Sequence, residues 1–241
     1  MSTLRPGGCA LTEYALKKID AKPGMKLLDE GCGDGTAAAF AAKEFGLLVT
    51  AIDTDKEAVE KAKENGVNAS VMDASMLDFD IHEFDIVMME CAFSAFERQE
   101  ESFHEAYCVL KPGGYLIISD VFCKDPDLER WEHDYWSAMS LWRRPRLHEN
   151  CGKEEHLPSP YTQDGALVLK GIYDLADELE MEVVLTEDRT EDLKTFAAQA
   201  VMDHGSVENW LKSEGTWKPS CEYSGKTGYF LMIIRKKEQN A

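Results

Sequence analysis

The chain has 241 residues, enough for one large domain, and its 44% hydrophobic content can supply a core. Its net charge of −19 repels nucleic-acid phosphates and anionic membrane surfaces, which favours a small-molecule partner. No apolar run approaches the roughly 20 residues that span a bilayer, and the first residues lack a signal-peptide core.

Residues 1–20 read as an N-terminal cap segment. Its Arg5-Pro6-Gly7-Gly8 stretch is either a gate over neighbouring strand ends or a frayed terminus. Leu27 and Leu28 then run into Asp29 and Glu30, followed by Gly31, Gly33 and Gly35 alternating with Cys32 and Asp34. This predicts a strand, a tight turn and a helix start, the element with which open α/β sheets hold a nucleotide-like cofactor. Glycines there permit unusual dihedrals and let a ligand approach the backbone. The dinucleotide fingerprint, however, needs its third glycine where this chain has Thr36. A pyrophosphate would also meet repulsion from Asp29, Glu30 and Asp34, whereas a cationic, phosphate-free cofactor would be welcomed. S-adenosylmethionine carries both an ammonium and a sulfonium, so it is the first reading. A nicotinamide oxidoreductase is the second.

Thr36 to Phe45 reads as a helix stopped by Gly46, and Leu47 to Ile52 as a second strand ending at Asp53. Thr54-Asp55-Lys56-Glu57 has the pattern of a capping box, opening a helix to Asn65-Gly66. Val67 to Met72 and Glu83 to Glu90 are the third and fourth strands. Arg98 to Leu110 is helical by spacing, closed by Lys111-Pro112-Gly113-Gly114, and Tyr115 to Val121 is the fifth strand. Strands alternating with helices indicate βαβ units and a parallel sheet.

The second half is less regular. Residues 124–163 are rich in aromatic and charged side chains, and the Trp131, Tyr135, Trp136 spacing fits core packing and a substrate wall equally. Asp164 to Glu180 reads as a helix, Met181 to Thr186 as a sixth strand, Thr190 to His204 as a helix, and Gly228 to Arg235 as a last strand. Arg235-Lys236-Lys237 reads as a solvated tail.

The chemistry-bearing residues fall at successive strand ends: the glycine turn, Asp53, Asp73-Ala74 and Glu90-Cys91. Ligands of open α/β sheets lie across these ends. A carboxylate after the second strand can accept both ribose hydroxyls, and an acid followed by a free N–H can read an adenine edge. Asp53 could alternatively cap the next helix. Glu90 and Asp120, at adjacent strand ends, are candidate catalytic groups on the acceptor side. Cys32, Cys91 and Cys123, with Cys9, lie towards the same edge and could suit a soft metalloid. Their spacing matches no metal site, so small buried thiols are the favoured reading and no metal is expected. Unpaired, irregularly spaced cysteines also fit a reducing cytoplasm.

On these residues the chain resembles the class I S-adenosylmethionine-dependent methyltransferases, and within them the small-molecule branch of ubiquinone-biosynthesis and arsenite methyltransferases. Leu27 to Gly35, Val49 to Asp53, Ala69 to Ala74, Phe84 to Glu90 and Leu110 to Leu116 carry the resemblance. It implies one α/β methyltransferase domain over 1–241, with a Rossmann-like, doubly wound, seven-stranded sheet. That sheet is mostly parallel with its last strand antiparallel. Helical insertions at 124–163 and 188–227 would form an acceptor-side lid, although the family usually joins its last two strands more compactly than Glu187 to Thr227 does. The resemblance further implies that Gly31 and Gly33 approach the methionine part of S-adenosylmethionine, with Asp29, Cys32 and Gly35 also binding the cofactor. Asp53 and Thr54 would meet ribose, Asp73 and Ala74 adenine, and Glu90 and Cys91 the transferred methyl. The product would be S-adenosylhomocysteine. A non-catalytic S-adenosylmethionine-binding protein is the remaining alternative.

Overall fold

The structure, a computed structural model, describes residues 5–142, 161–163, 165–206, 209 and 226–238, the side chains of 136–142 excepted. Trp136, Trp142 and the Arg143-Arg144-Pro145-Arg146 cluster therefore have no described side chains. In chain order the first half runs α1 (Gly8–Lys18), β1 (Lys26–Glu30), α2 (Thr36–Phe45), β2 (Leu48–Asp53), α3 (Lys56–Glu64), β3 (Asn68–Val71), β4 (Phe84–Glu90), α4 (Gln99–Val109) and β5 (Leu110–Cys123). The second half adds α5 (Leu128–Trp142), β6 (Thr162–Gln163), β7 (Ala166–Leu167), α6 (Leu169–Glu178), β8 (Glu182–Asp188), α7 (Thr190–His204) and β9 (Thr227–Arg235).

The five parallel strands lie in the order β3-β2-β1-β4-β5. The reversal beside β1 is where such sheets open a crevice at their C-terminal edge. β9 pairs antiparallel with β5, and β8 antiparallel with β9. These strands make the expected seven-stranded, mostly parallel sheet whose last strand is antiparallel. The two-residue hairpin β6/β7 adds to it, touching β5 through Phe122 and Leu167.

Helices cover both faces, so the central strands are apolar on both sides. Leu27, Ile86, Met88, Ile117, Leu231 and Ile233 pack with Leu11, Leu16 and Ala37 of α1 and α2, and with Leu193 of α7. Leu28, Val87, Met89, Leu116, Ile118 and Met232 pack with Phe103 of α4 and Ile172 of α6. Because strand side chains alternate faces, Asp29 and Glu90 fall on the α1 side and Glu30 and Asp120 on the α4 side. Leu193 places α7 against a sheet face.

Four sequence expectations change. Thr54 is exposed, and the Asp55 carboxylate caps α3 instead by accepting from Glu57 N–H at 2.9 Å. The Lys-Pro-Gly-Gly segment is part of β5, because Gly113 N–H donates to Lys236 O at 2.8 Å and Lys236 N–H to Gly114 O at 2.9 Å. Lys236 is buried, not solvated. Its ammonium donates to Tyr107 O at 2.7 Å and Leu110 O at 2.9 Å, satisfying carbonyls at the end of α4. The helix predicted from Asp164 begins only at Leu169, because Ala166–Leu167 is drawn out as a strand that pairs with Thr162–Gln163 and with β5. Among the described residues no helix is long and apolar enough to cross a membrane.

Gly35 has φ +74°, and an added Cβ would lie 2.8 Å from Ala62 Cβ. Gly35→Ala should lower stability in urea by about 1–3 kcal/mol, combining backbone strain and overpacking. Gly24→Ala, also at positive φ but with nothing within 4 Å, should lose only the backbone part. Equal losses in the two variants would refute a packing role for Gly35.

Candidate functional site

The turn after β1 is stitched to the end of β2. Gly31 and Cys32 donate their N–H groups to Ile52 O at 2.9 and 3.0 Å. Gly33 N–H donates to Asp53 Oδ2 at 2.9 Å, while Asp55 N–H donates to Asp53 Oδ1 at 2.9 Å. Asp53 therefore holds the glycine turn and the next loop in register. The three glycines have different reasons. A Cβ on Gly31 would lie 2.5 Å from Ala92 Cβ, and Gly35 is pressed against Ala62, but beside Gly33 there is nothing within 4 Å. The open side of the turn is at Gly33.

Asp73 and Ala74 follow β3, and the Asp73 Oδ1 accepts from Ser75 N–H and Ser75 Oγ at 2.8 Å each. Ala74 is buried. The structure thus brings the glycine turn, Asp53, Asp73-Ala74 and Glu90-Cys91 to consecutive strand ends on one edge. Thr54 stands apart, exposed.

Glu90 is not a free acid. Arg5 reaches it from the N-terminal segment at 2.6 Å, their side chains being only 12% and 2% exposed. Thr12 Oγ1 of α1 lies 3.1 and 3.2 Å from the two Glu90 oxygens, and Arg5 also bonds Thr12. Burial raises the Glu90 carboxyl above its ordinary range, with Arg5 and Thr12 opposing the rise. Asp29 on the same face is pushed up to about 8, first by burial, then by Glu90, with Arg5 pulling it down. The buried Asp29 Oδ2 has no hydrogen-bond partner, and neither does Arg5 Nε. Arg5 and Thr12 are site residues that sequence reasoning missed, although Arg5 stood in a stretch it had flagged.

Cys91 closes β4 with φ +54°, an unusual conformation for a non-glycine residue. It is held by Cys91 N–H donating to Ser119 O at 2.7 Å and by a 2.9 Å hydrogen bond between Cys91 Sγ and Tyr229 Oη. Tyr229, from β9, is a second residue no local signal revealed. Asp120 accepts from Ser94 N–H and Ser94 Oγ at 2.8 Å each and from Val121 N–H at 2.7 Å. Burial raises its carboxyl to about 6 against those hydrogen bonds. Both Asp120 oxygens are thus committed to the loop after Cys91, so its geometry is that of a loop anchor rather than a waiting base.

Glu30 is fully buried on the opposite face, and neither of its oxygens has a partner. Burial, then Asp29 and Glu105, drive its carboxyl well above the usual range, so the neutral acid is the folded form. Trp131 and Tyr135 meet tilted at 5.5 Å and Tyr135 and Tyr161 edge-to-face at 5.7 Å, and the three line a cavity of about 310 Å³ with Lys170 and Asp174. Its lining includes no residue of the edge just described. Cys9, Cys32, Cys91, Cys108 and Cys123 are free thiols.

A family model described as a methyltransferase domain matches residues 28–118. Over these residues the chain carries a methyltransferase domain. The methyltransferase domain contains the glycine turn, Asp53, Asp73-Ala74 and Glu90-Cys91, while Arg5 and Thr12 lie before it. The chain is 29% identical over 201 residues to phosphoethanolamine N-methyltransferase 3 of Arabidopsis thaliana, covering 77% of this chain and 40% of that protein. It is 35% identical over 130 residues to the uncharacterized methyltransferase YodH of Bacillus subtilis, covering 50% and 54%. The chain spans from 25% to 54% of the length of such curated relatives. Among solved structures, phosphoethanolamine N-methyltransferase 2 of Haemonchus contortus with S-adenosyl-L-methionine has TM-score 0.70 at 20% identity, covering 99% of this chain and 54% of that one. The [4+2]-cyclase SpnF has TM-score 0.68 at 20% identity, covering 96% and 82%. These likenesses establish the Rossmann-like methyltransferase fold. The nicotinamide reading gains no support from them.

Glu30 gives a pH prediction with a definite sign. The folded protein keeps a proton that the unfolded chain releases above its ordinary value of 4.5. Its contribution to stability is therefore present below that pH and is lost as pH rises towards the folded value. Glu30→Met should raise the melting temperature more at pH 8 than at pH 5, by about 2–4 °C for each kcal/mol recovered. A variant destabilised equally at both pH values would contradict this.

Proposed function

We propose that this chain is a cytoplasmic enzyme that transfers a methyl group from S-adenosylmethionine to a small molecule. The observation carrying the reading is the edge itself: a methyltransferase domain whose turn opens only at Gly33 and is ringed by carboxylates. The Asp53 carboxylate beside the turn opposes a pyrophosphate, and the buried, unpartnered Asp29 oxygen suits a cationic ligand. The methyl donor supplies an electrophilic methyl carbon on a positively charged sulfur. The chain's own residues supply position. Gly33 leaves room for the methionine part, Asp53 stands where ribose hydroxyls would be met, and Asp73 with Ala74 where adenine would lie.

In-line displacement needs the acceptor held opposite the bond that breaks, and positioning alone accounts for much of such a rate. The loop after Cys91, tied to Asp120 through Ser94, is the natural floor of the acceptor side. Glu90 and Asp120 act in this reading as positioning groups, since Arg5, Thr12 and Ser94 already occupy their oxygens. Residues 5–20 cap the cofactor side through Arg5 and Thr12 on Glu90. Relatives named as phosphoethanolamine N-methyltransferases make small amines the first acceptors to try.

Calorimetry with S-adenosylhomocysteine, followed by transfer of a labelled methyl group to a panel of small amines including phosphoethanolamine, tests the proposal. Binding and a labelled product are expected. Absence of binding overturns the reading, and binding without any product favours a non-catalytic binding protein. Gly33→Ala should weaken S-adenosylhomocysteine binding at least about tenfold, because its Cβ enters the open side of the turn, while costing about 1 kcal/mol of stability.

A further inference from the structure

The cavity of about 310 Å³ lined by α5, α6 and Tyr161 shares no lining residue with the methyl-donor edge. Its floor is aromatic: Trp131 and Tyr135, one turn apart on α5, and Tyr161, which precedes β6. The floor is fixed in place. Trp131 and Tyr161 are only 3% and 1% exposed, and Tyr161 Oη donates to Glu100 Oε2 of α4 at 3.1 Å. Gly171 of α6 lets both rings approach that helix, since a Cβ there would lie 2.8 Å from Tyr161 Cδ1 and 3.2 Å from Trp131 Cζ2. The rim is acidic and exposed, with Glu132 on α5 and Asp174 and Glu178, one turn apart, on α6. Three carboxylates against the single ammonium of Lys170 repel an anion, while aromatic faces attract a cation. One ammonium already uses these partners. Lys170 Nζ lies 2.6 Å from Asp174, 4.0 Å from Glu132 and 5.5 Å from the centre of the Trp131 ring. The volume falls at the small end of ligand cavities, so the matching ligand is a small one with an apolar body and a positive charge.

We propose that this cavity is a second ligand site, for a small organic ammonium ion whose apolar body lies on Trp131, Tyr135 and Tyr161 and whose charge meets Glu132 and Glu178. The site is separate from the methyl-donor edge and does not depend on the S-adenosylmethionine reading. Lys170 is its built-in competitor, a tethered ammonium that occupies Asp174 and lies over the Trp131 ring. The convergence of Tyr161 with the α5 rings is what turns a helix stripe into a cation-binding floor.

Calorimetry of the full chain with 3-phenylpropylammonium, 3-phenylpropanol and 3-phenylpropionate, which share one body and differ in charge, tests this. The ammonium should bind about tenfold more tightly than the alcohol, and the carboxylate should not bind measurably. Replacing both exposed rim acids, Glu132→Gln with Glu178→Gln, should remove most of that preference and leave the alcohol unchanged. Lys170→Ala should tighten the ammonium severalfold, a gain that misfolding cannot produce. Lys43→Ala on α2 should change nothing, which controls for attraction by the net charge of −19. Saturating S-adenosylhomocysteine should leave the ammonium affinity unaltered. Equal affinity for ammonium and alcohol overturns the proposal, as does failure of the ammonium to bind or equal tightening by the two lysine variants. Mutual exclusion with S-adenosylhomocysteine would put the ammonium on the methyl-donor edge and overturn the second site, leaving the methyltransferase reading intact.

Discussion

A carboxylate can be buried only where a cation, hydrogen bonds or a proton meets its charge, and among its described residues this chain buries four of them on three strands. Each is met differently. Glu90 receives Arg5 and Thr12, Asp120 receives Ser94 and the Val121 N–H, and burial with Asp29 and Glu105 nearby drives the Glu30 carboxyl towards its neutral form. Asp29 is left with an unmatched oxygen. The Glu90 and Asp120 arrangements hold structure together, Glu30 is a cost carried in the core, and Asp29 leaves capacity for a ligand. Much of the site follows from this division.

The Arg5–Glu90 pair also explains why the N-terminal segment packs against the edge rather than fraying. Its burial would be unfavourable for either charge alone, and removing one partner would strand the other. α1 has further attachments on the same face, with Tyr14 Oη donating to Glu187 at 2.7 Å and the Arg189 guanidinium 5.2 Å from the Tyr14 ring. A helix that precedes the methyltransferase domain is thus tied both to β4 and to the end of β8. The domain's edge and its N-terminal cap form one unit.

The fold and the chemistry are separable. A solved [4+2]-cyclase shares this architecture at TM-score 0.68, and phosphoethanolamine methyltransferases share it as well. What differs between such proteins is carried by side chains on the edge and by what covers it. Here the edge is acidic and open at Gly33, and the loop after β4 is pinned through Ser94 to Asp120. Those particulars, rather than the sheet, carry the argument for a cationic, phosphate-free cofactor.

Local order was legible in the sequence because it depends on neighbours in the chain. The alternation of apolar runs with helical spacing determined the parallel strands, and three alternating glycines determined the turn after β1. The bounds of α2 and α7 matched the residues at which their patterns begin and end. Tertiary structure decided which of several local possibilities prevailed. Lys236 reads as a tail residue until its ammonium meets carbonyls of α4, and Thr54 reads as a cap until Asp55 takes that role. The state of Glu90 depends on Arg5 and Thr12, and the hold on Cys91 depends on Tyr229, from β9. Such pairings join residues distant in the chain. They have no sequence period to betray them, because their energy comes from burial and charge that exist only once the sheet has assembled.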